Sequence, residues 1–263
     1  MIPFRAENSA YDAAFFDSHV PVALESARVV VPLMLRLMAV RSVVDVGCGI
    51  GAWLHVFEQN GVPDICGLDG EYVARERLMF DVNRFVTTDL GGDFHIPARF
   101  DLAVCVEVAE HLPTRSSPHL LDELTSAAPV ILFSAALPHQ GGRLHVNEQW
   151  PDYWIEHFRT RGYLMADALR PLIWHDPRVA WWYRQNLVVF ASEAALAANA
   201  ELRRQVELSA DCDLVLIHRN IIGALQSPRF ILRSVPWALG RVPLAAWRRI
   251  RRRWPHLRSA VPQ

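Results

Sequence analysis

Two short stretches hold the side chains best suited to chemistry. The first, Glu107-Val-Ala-Glu110-His111-Leu-Pro113, sets two carboxyls three residues apart with an imidazole next to the second. Residues three apart on a helical turn share a face, so Glu107, Glu110 and His111 can ligate a divalent cation such as Mg or Mn, or pass a proton. In the plainer alternative, Glu110 and His111 only hydrogen-bond the loop backbone. The second stretch, SAALPHQGGRLHVNEQW, brings His139, two glycines, His145, Asn147, Glu148 and Gln149 together within eleven residues. An imidazole near its ordinary pKa can take the proton from an alcohol or amine, which makes His145 the leading general-base candidate and a further cation ligand. Asn147, Glu148 and Gln149 suit a hydroxyl-rich acceptor such as a sugar. Alternatively, Asn147 or Glu148 caps a helix beginning near Gln149.

These groups need a frame, and SVVDVGCGIG (Ser42 to Gly51) supplies its first edge. A β-branched run buried on both faces carries Asp45 near its end and passes into Gly47, Cys48, Gly49 and Gly51. Glycine lets the backbone turn tightly and approach a ligand where a Cβ would intrude. The amides opening the next helix, Ala52–Gln59, face the same crevice. The spacing is not the Gly-x-Gly-x-x-Gly of dinucleotide sites, because the third glycine comes one residue early. In a doubly wound sheet the ligand lies across the carboxyl ends of the strands. There Asp69, in GLDG, can accept from ribose hydroxyls. Asp89, in TTDL, can meet an adenine amino group while Leu90 covers the base.

Strands and helices alternate from Ser42 onward, which implies a parallel sheet with crossover helices. Strands are predicted at Val43–Gly47, Asp64–Asp69, Arg84–Thr88, Asp101–Val106, Val130–Ser134, near Tyr163–Ala168 and at Asn186–Ala191. Helices are predicted at Ala52–Gln59, Glu71–Leu78, Ser117–Thr125 and Pro151–Arg161, the last closed by Gly162. Residues 1–40 read as a helical cap that Pro21 and Pro32 cut into two short helices. Its Tyr11, Phe15 and Phe16 either cover the crevice or pack the entry helix. Residues 41–192 form the nucleotide-binding domain, and 193–263 a mostly helical, arginine-rich appendage that begins with a surface helix.

With 51% hydrophobic and 21% charged residues, the chain reads as folded rather than disordered. No apolar run is long enough to cross a bilayer, and the N-terminus lacks a basic-then-apolar signal pattern. Cys48, Cys66, Cys105 and Cys212 stand far apart and read as reduced core thiols, as in a cytoplasmic protein.

VVDVGCGIGAWL, GLDG, TTDL and FDLAVCVEVAEHL resemble, in order, the motifs of class I S-adenosylmethionine-dependent methyltransferases, over roughly Val40 to Ser192. The resemblance implies a Rossmann-like, doubly wound seven-stranded α/β sheet whose last strand runs antiparallel. It implies that Gly47, Gly49 and Gly51 approach the methionine portion, Asp69 the ribose and Asp89 the adenine. Asp45, Cys48, Leu90 and Glu107 complete that cofactor set. Some members, in small-RNA and quinone-biosynthesis groups, use a similar Glu-x-x-Glu-His as metal ligands; many others carry the pair without a metal. HVNEQWPDYWIEHF and IWHDPRVAWWYRQN resemble, more loosely, a bacterial subgroup associated with surface-polysaccharide or glycolipid assembly. Trp150, Tyr153, Trp154, Trp174, Trp181, Trp182 and Tyr183 then build either a sugar-stacking wall or ordinary core.

After Asp213 the chain has ten arginines and no acid. Such a segment suits an anionic membrane surface on the inner face, a protein partner or a second subunit. Nucleic acid is disfavoured, because no binding module accompanies the basic cluster. The leading expectation is O-methylation of a sugar or other small hydroxylated acceptor. Its rivals are a metal-dependent methyltransferase of RNA or a quinone, using Glu107, Glu110, His111 and His145, and a non-catalytic cofactor-binding scaffold.

Overall fold

Val43, Val44 and Val46 have no exposed surface, as β1 (Ser42–Val46) requires at the centre of a covered sheet. A computed structural model of the chain describes residues 13–210 and 216–218. The chain divides into two units, Met1–His218 and Arg219–Gln263. The first is described below; Tyr11, Cys212 and the arginine-rich run lie outside the described residues.

β1 is joined by β2 (Asp64–Asp69), β3 (Phe85–Thr87), β4 (Leu102–Val106), β5 (Val130–Ser134), β6 (Tyr163–Ala166) and β7 (Val188–Ser192). The order across the sheet is β3-β2-β1-β4-β5-β7-β6. β1 to β5 pair in parallel, and β7 runs antiparallel to both β5 and β6. The seven-stranded doubly wound sheet with an antiparallel last strand is the expected one. Apolar side chains fill both of its faces. Phe133, Phe158 and Phe190 form an aromatic core on one side, with Phe158 stacked on Phe190 at 3.9 Å. Val30, Met34, Leu54 and Phe57 belong to the core on the other.

The entry segment differs from expectation. Pro21 and Pro32 do not divide it; α1 (Ala13–Leu37) is one helix of 25 residues with both prolines inside. Each proline removes a backbone donor. The fully buried stripe of Ala27, Val30, Val31 and Met34 outweighs that loss by packing the helix on α2 (Ala52–Gln59).

The predicted helix Glu71–Leu78 is also absent, leaving a single 3-10 turn at Arg75–Arg77. Tyr72 turns back to Asp69, Phe80 fills the space against Gly51 and Gly67, and the Met79 amide donates to Ile50 O at 2.9 Å. Tertiary anchors override helix propensity there.

α3 (Ser117–Ala127) and α4 (Pro151–Arg159) stand within two residues of prediction, whereas α5 (Arg170–Ile173) and α6 (Trp181–Asn186) were not anticipated. α6 ends on Asn186, the residue expected to open the last strand. The single helix predicted after Ser192 is two, α7 (Glu193–Ala198) and α8 (Ala200–Ser209). Asn199 between them caps α8 by accepting from the Glu201 and Leu202 amides, both at 3.0 Å. Leu196 and Leu202 are buried, and α8 packs on β6.

Cys48, Cys66 and Cys105 are buried and unpaired. Among the described residues, no helix is long and apolar enough to cross a membrane. The aromatics proposed as a wall are divided. Trp154 and Tyr183 are core, Trp150 is exposed, and Trp174 and Trp181 both pack on His218.

Candidate functional site

The glycine loop follows from its dihedrals. Gly47, Gly49 and Gly51 have φ of 81°, 55° and 88°, a region that other residues enter only with strain. A Cβ on Gly47 would lie 2.4 Å from Val108 Cγ2. The turn lets the Gly47 and Cys48 amides donate to Leu68 O at 2.8 and 3.2 Å, and the Gly49 amide to Asp69 Oδ2 at 2.6 Å. Asp69 Oδ1 accepts from the Gly70 amide at 2.7 Å and from the Tyr72 hydroxyl.

The acid at the end of β2 thus clamps the loop at the end of β1. Burial raises the Asp69 carboxyl above its ordinary pKa, against the opposing effect of those bonds. Asp45, inside β1, is pushed well above the ordinary range by burial and then by Asp69. Its Oδ2 is buried with no hydrogen-bond partner. Burial also pushes the Cys48 thiol up. Asp89 lies two residues beyond β3, exposed, and accepts from the Gly91 amide at 3.0 Å; Leu90 beside it is buried.

β4 delivers Glu107 with φ 55°, a left-handed position that a non-glycine residue holds only under constraint. Its amide donates to Ser134 O and Oγ, both at 3.0 Å. Its Oε1 accepts from Asn186 Nδ2 at 3.1 Å and its Oε2 from Gln140 Nε2 at 3.2 Å. Gln185 Nε2 donates to Gln140 Oε1 and Asn186 Oδ1, both at 3.1 Å. Behind them, buried Arg170 forms a two-bond pair with Asp167, each bond 2.8 Å, and donates to Gln185 O. Sequence reasoning missed Gln140, Gln185, Asn186 and Arg170. The available signal was a Gln-Asn pair set in the apolar run WWYRQNLVVF, where unpaired amides would be costly.

Glu110 follows on a 3-10 turn (Ala109–His111) and is fully buried. Neither carboxyl oxygen has a hydrogen-bond partner. Burial, and then the neighbouring Glu107, push its pKa well above the ordinary range. Its backbone carbonyl accepts from the Val146 and Asn147 amides at 2.8 and 3.0 Å, which draws the loop after β5 onto this turn.

Asn147 secures that join. Its Nδ2 donates to Ala109 O and Ser117 Oγ, and its Oδ1 accepts from Thr114 and Gln149. The cap expected from Asn147 or Glu148 is not present, since Trp150 opens α4 without a side-chain cap.

His145 stands edge-on to His111, ring centroids 4.8 Å apart. Burial, then His145, lower His111 to about 4. His145 Nδ1 lies 2.9 Å from Glu148 Oε1. Glu148 also accepts from the His139 amide at 2.8 Å and the Gly141 amide at 2.9 Å. Burial pushes Glu148 up, but His145 and the two amides outweigh it and hold the group below its ordinary value. One ligand atom from each of Glu110, His111 and His145 lies within 4.8 Å of the others. Glu107, the fourth expected ligand, is outside that group, its carboxylate held by the two amides.

Comparison with known proteins bears on this arrangement. Residues 16–175, more than half of the chain, match the family described as "Methyltransferase domain". No curated protein matches the chain. Among solved structures, TnmH is similar at 20% identity and a TM-score of 0.50, covering 69% of this chain and 58% of its own. A putative O-methyltransferase from Nostoc punctiforme is similar at 14% identity and 0.50, covering 68% and 59%. Magnesium protoporphyrin IX methyltransferase from Synechocystis, solved with bound S-adenosylhomocysteine, gives 18% identity and 0.48, covering 65% and 84%. The chain thus spans little more than half the length of TnmH. The family match, over a seven-stranded sheet of the expected order, places the chain in the methyltransferase-domain family, with the class I fold.

Proposed function

We propose that this chain transfers a methyl group from S-adenosylmethionine to a hydroxyl of a sugar or another small hydroxylated acceptor, with His145 as general base. The observation that carries the reading is the His145–Glu148 pair, on the loop after β5 and edge-on to the turn that leaves β4. The residues fit the donor. Three left-handed glycines shape the turn at the end of β1, packed so closely that a Cβ on Gly47 or Gly51 would meet Val108 or Phe80, and the orphaned Asp45 oxygen and the Asp69 carboxylate stand beside that turn. Gly47, Cys48, Gly49, Gly51, Asp45 and Glu107 would hold the methionine portion, Asp69 the ribose, and Asp89 and Leu90 the adenine. When bound, the donor supplies an activated methyl group for in-line displacement. The chain's own share is to align the acceptor oxygen and remove its proton.

Calorimetry with S-adenosylmethionine and S-adenosylhomocysteine tests the first half, and no binding up to millimolar ligand would end it. For the second half, His145→Ala should slow transfer of labelled methyl to the best of a panel of methyl glycosides and phenols by about 10²–10⁴-fold. Donor affinity should stay within about twofold, and wild-type transfer rates would remove His145 as the base.

The Glu110, His111 and His145 cluster favours a second reading, in which the same fold uses a divalent cation. A neutral imidazole and an orphaned buried carboxyl are donors such a cation can use, with Glu148 orienting His145 from behind. Manganese titration followed by paramagnetic resonance tests this apart from turnover. Absence of bound ion, together with activity unchanged by EDTA, excludes it. The arginines after Asp213 support a location at the inner membrane face, where lipid-linked sugars are at hand.

A further inference from the structure

Resting on the reading of His145 as the base, the geometry points to Glu148 as its positioning residue, which locks the imidazole with the proton on Nδ1 and Nε2 bare. A carboxylate can only accept hydrogen bonds. At 2.9 Å from Glu148 Oε1, Nδ1 of His145 must therefore be the donor, and in a neutral ring the lone pair then sits on Nε2. The contact is shielded, with the His145 side chain 11% and the Glu148 side chain 20% exposed.

The same carboxylate shapes what lies over Nε2. It accepts from the His139 and Gly141 amides, and both of those residues hold left-handed φ of 71°. The turn they form brings Gly142 against the ring. A Cβ on Gly142 would lie 2.1 Å from Nε2. One side chain thus sets both the tautomer of the base and the backbone above it. The role of a helix cap, which its place just before α4 suggested, falls to no side chain.

Long-range proton–nitrogen spectra of the ¹⁵N-histidine-labelled full chain test this, with His145→Gln identifying the signal. The expected result, wherever the ring is neutral, is a protonated Nδ1 and a bare Nε2, lost in Glu148→Gln or Glu148→Ala in favour of the Nε2–H form or a mixture. A wild-type Nε2–H signal, or a pattern indifferent to both substitutions, would overturn the inference.

Kinetics separate positioning from a general structural effect. Glu148→Gln should lower kcat by about 10²-fold or more with donor affinity within about twofold. In a His145→Ala background the same change should cost nothing further. An equal loss in both backgrounds would mean that Glu148 only holds the loop together. Unchanged transfer in His145→Ala would instead defeat the base reading itself, while a protonated Nδ1 would still uphold the lock.

Discussion

Glu110 is a carboxylic acid enclosed by protein with neither oxygen satisfied, an arrangement that works against stability. Its folded pKa is raised, so the folded state retains a proton that the unfolded chain releases at ordinary carboxyl pH. Stability therefore falls as pH rises through the unfolded value toward the folded one. In chelator-treated protein, Glu110→Gln should match wild type in thermal unfolding near pH 4. By pH 7 it should be more stable by about 1–2 kcal/mol, the size of gain seen when a strained functional group is relieved. Equal melting at both pH values would show that Glu110 is not held neutral by burial.

Gly142 gives the complementary test at the same scale. Gly142→Ala sets a methyl against the His145 ring, and that ring is already fixed by Glu148. Methyl transfer should fall at least about tenfold by displacement of the proposed base, while donor binding is unaffected; the loss corresponds to about 1.4 kcal/mol in the barrier. Both positions stood in stretches marked by residue type alone. What sequence could not show was which carboxyl meets which imidazole. Glu107 and Glu110 are three apart, yet the left-handed backbone at Glu107 sends one acid to a pair of amides and the other to the histidines.

At the level of elements, the strands were legible because each is a short apolar run ending at a turn signal, a pattern set by burial on both faces. Two strands, Asp64–Asp69 and Val130–Ser134, have the predicted bounds. Helices were harder wherever local preference and tertiary contact disagree. The prolines of α1 argued for a break that its buried stripe overrides, and Glu71–Leu78 gave way to the anchors of Tyr72 and Phe80. α5 and α6 went unseen among tryptophans and arginines, whose spacing shows no clear face.

The join between the turn after β4 and the loop after β5 depends on Asn147 more than on any regular element. Asn147→Ala removes four side-chain hydrogen bonds and leaves the Ala109 carbonyl, the Thr114 and Ser117 hydroxyls and the Gln149 amide each without that partner. A cost of about 2–3 kcal/mol is expected. Limited proteolysis should then cut between residues 139 and 146 well before the sheet unfolds. Unaltered resistance there would mean that the backbone bonds to Glu110 O suffice.

For the whole molecule, the unit ending at His218 includes α7 and α8, whose Leu196 and Leu202 are buried. A chain ended after His218 should melt within a few degrees of the full protein and keep its donor affinity. One ended at residue 192 loses those contacts and should be destabilised by several kcal/mol, since each buried leucine alone is worth about 2 kcal/mol. The shorter cut surviving intact would return the boundary to the composition change near Ser192. Comparing the full chain with the His218 form in flotation with anionic vesicles isolates the arginines. Equal partitioning would exclude them as the membrane contact.

The placing of β7 between β5 and β6 also bears on how the site is made in time. A ribosome releases the glycine loop first and Glu107 midway, but Asn186, which holds one Glu107 oxygen, stands two residues before the strand that completes the sheet. Non-local pairings form slowly. A nascent chain can thus shape its glycine loop well before the acid at the end of β4 is fixed, and the hold on Glu107 is the last part to be finished.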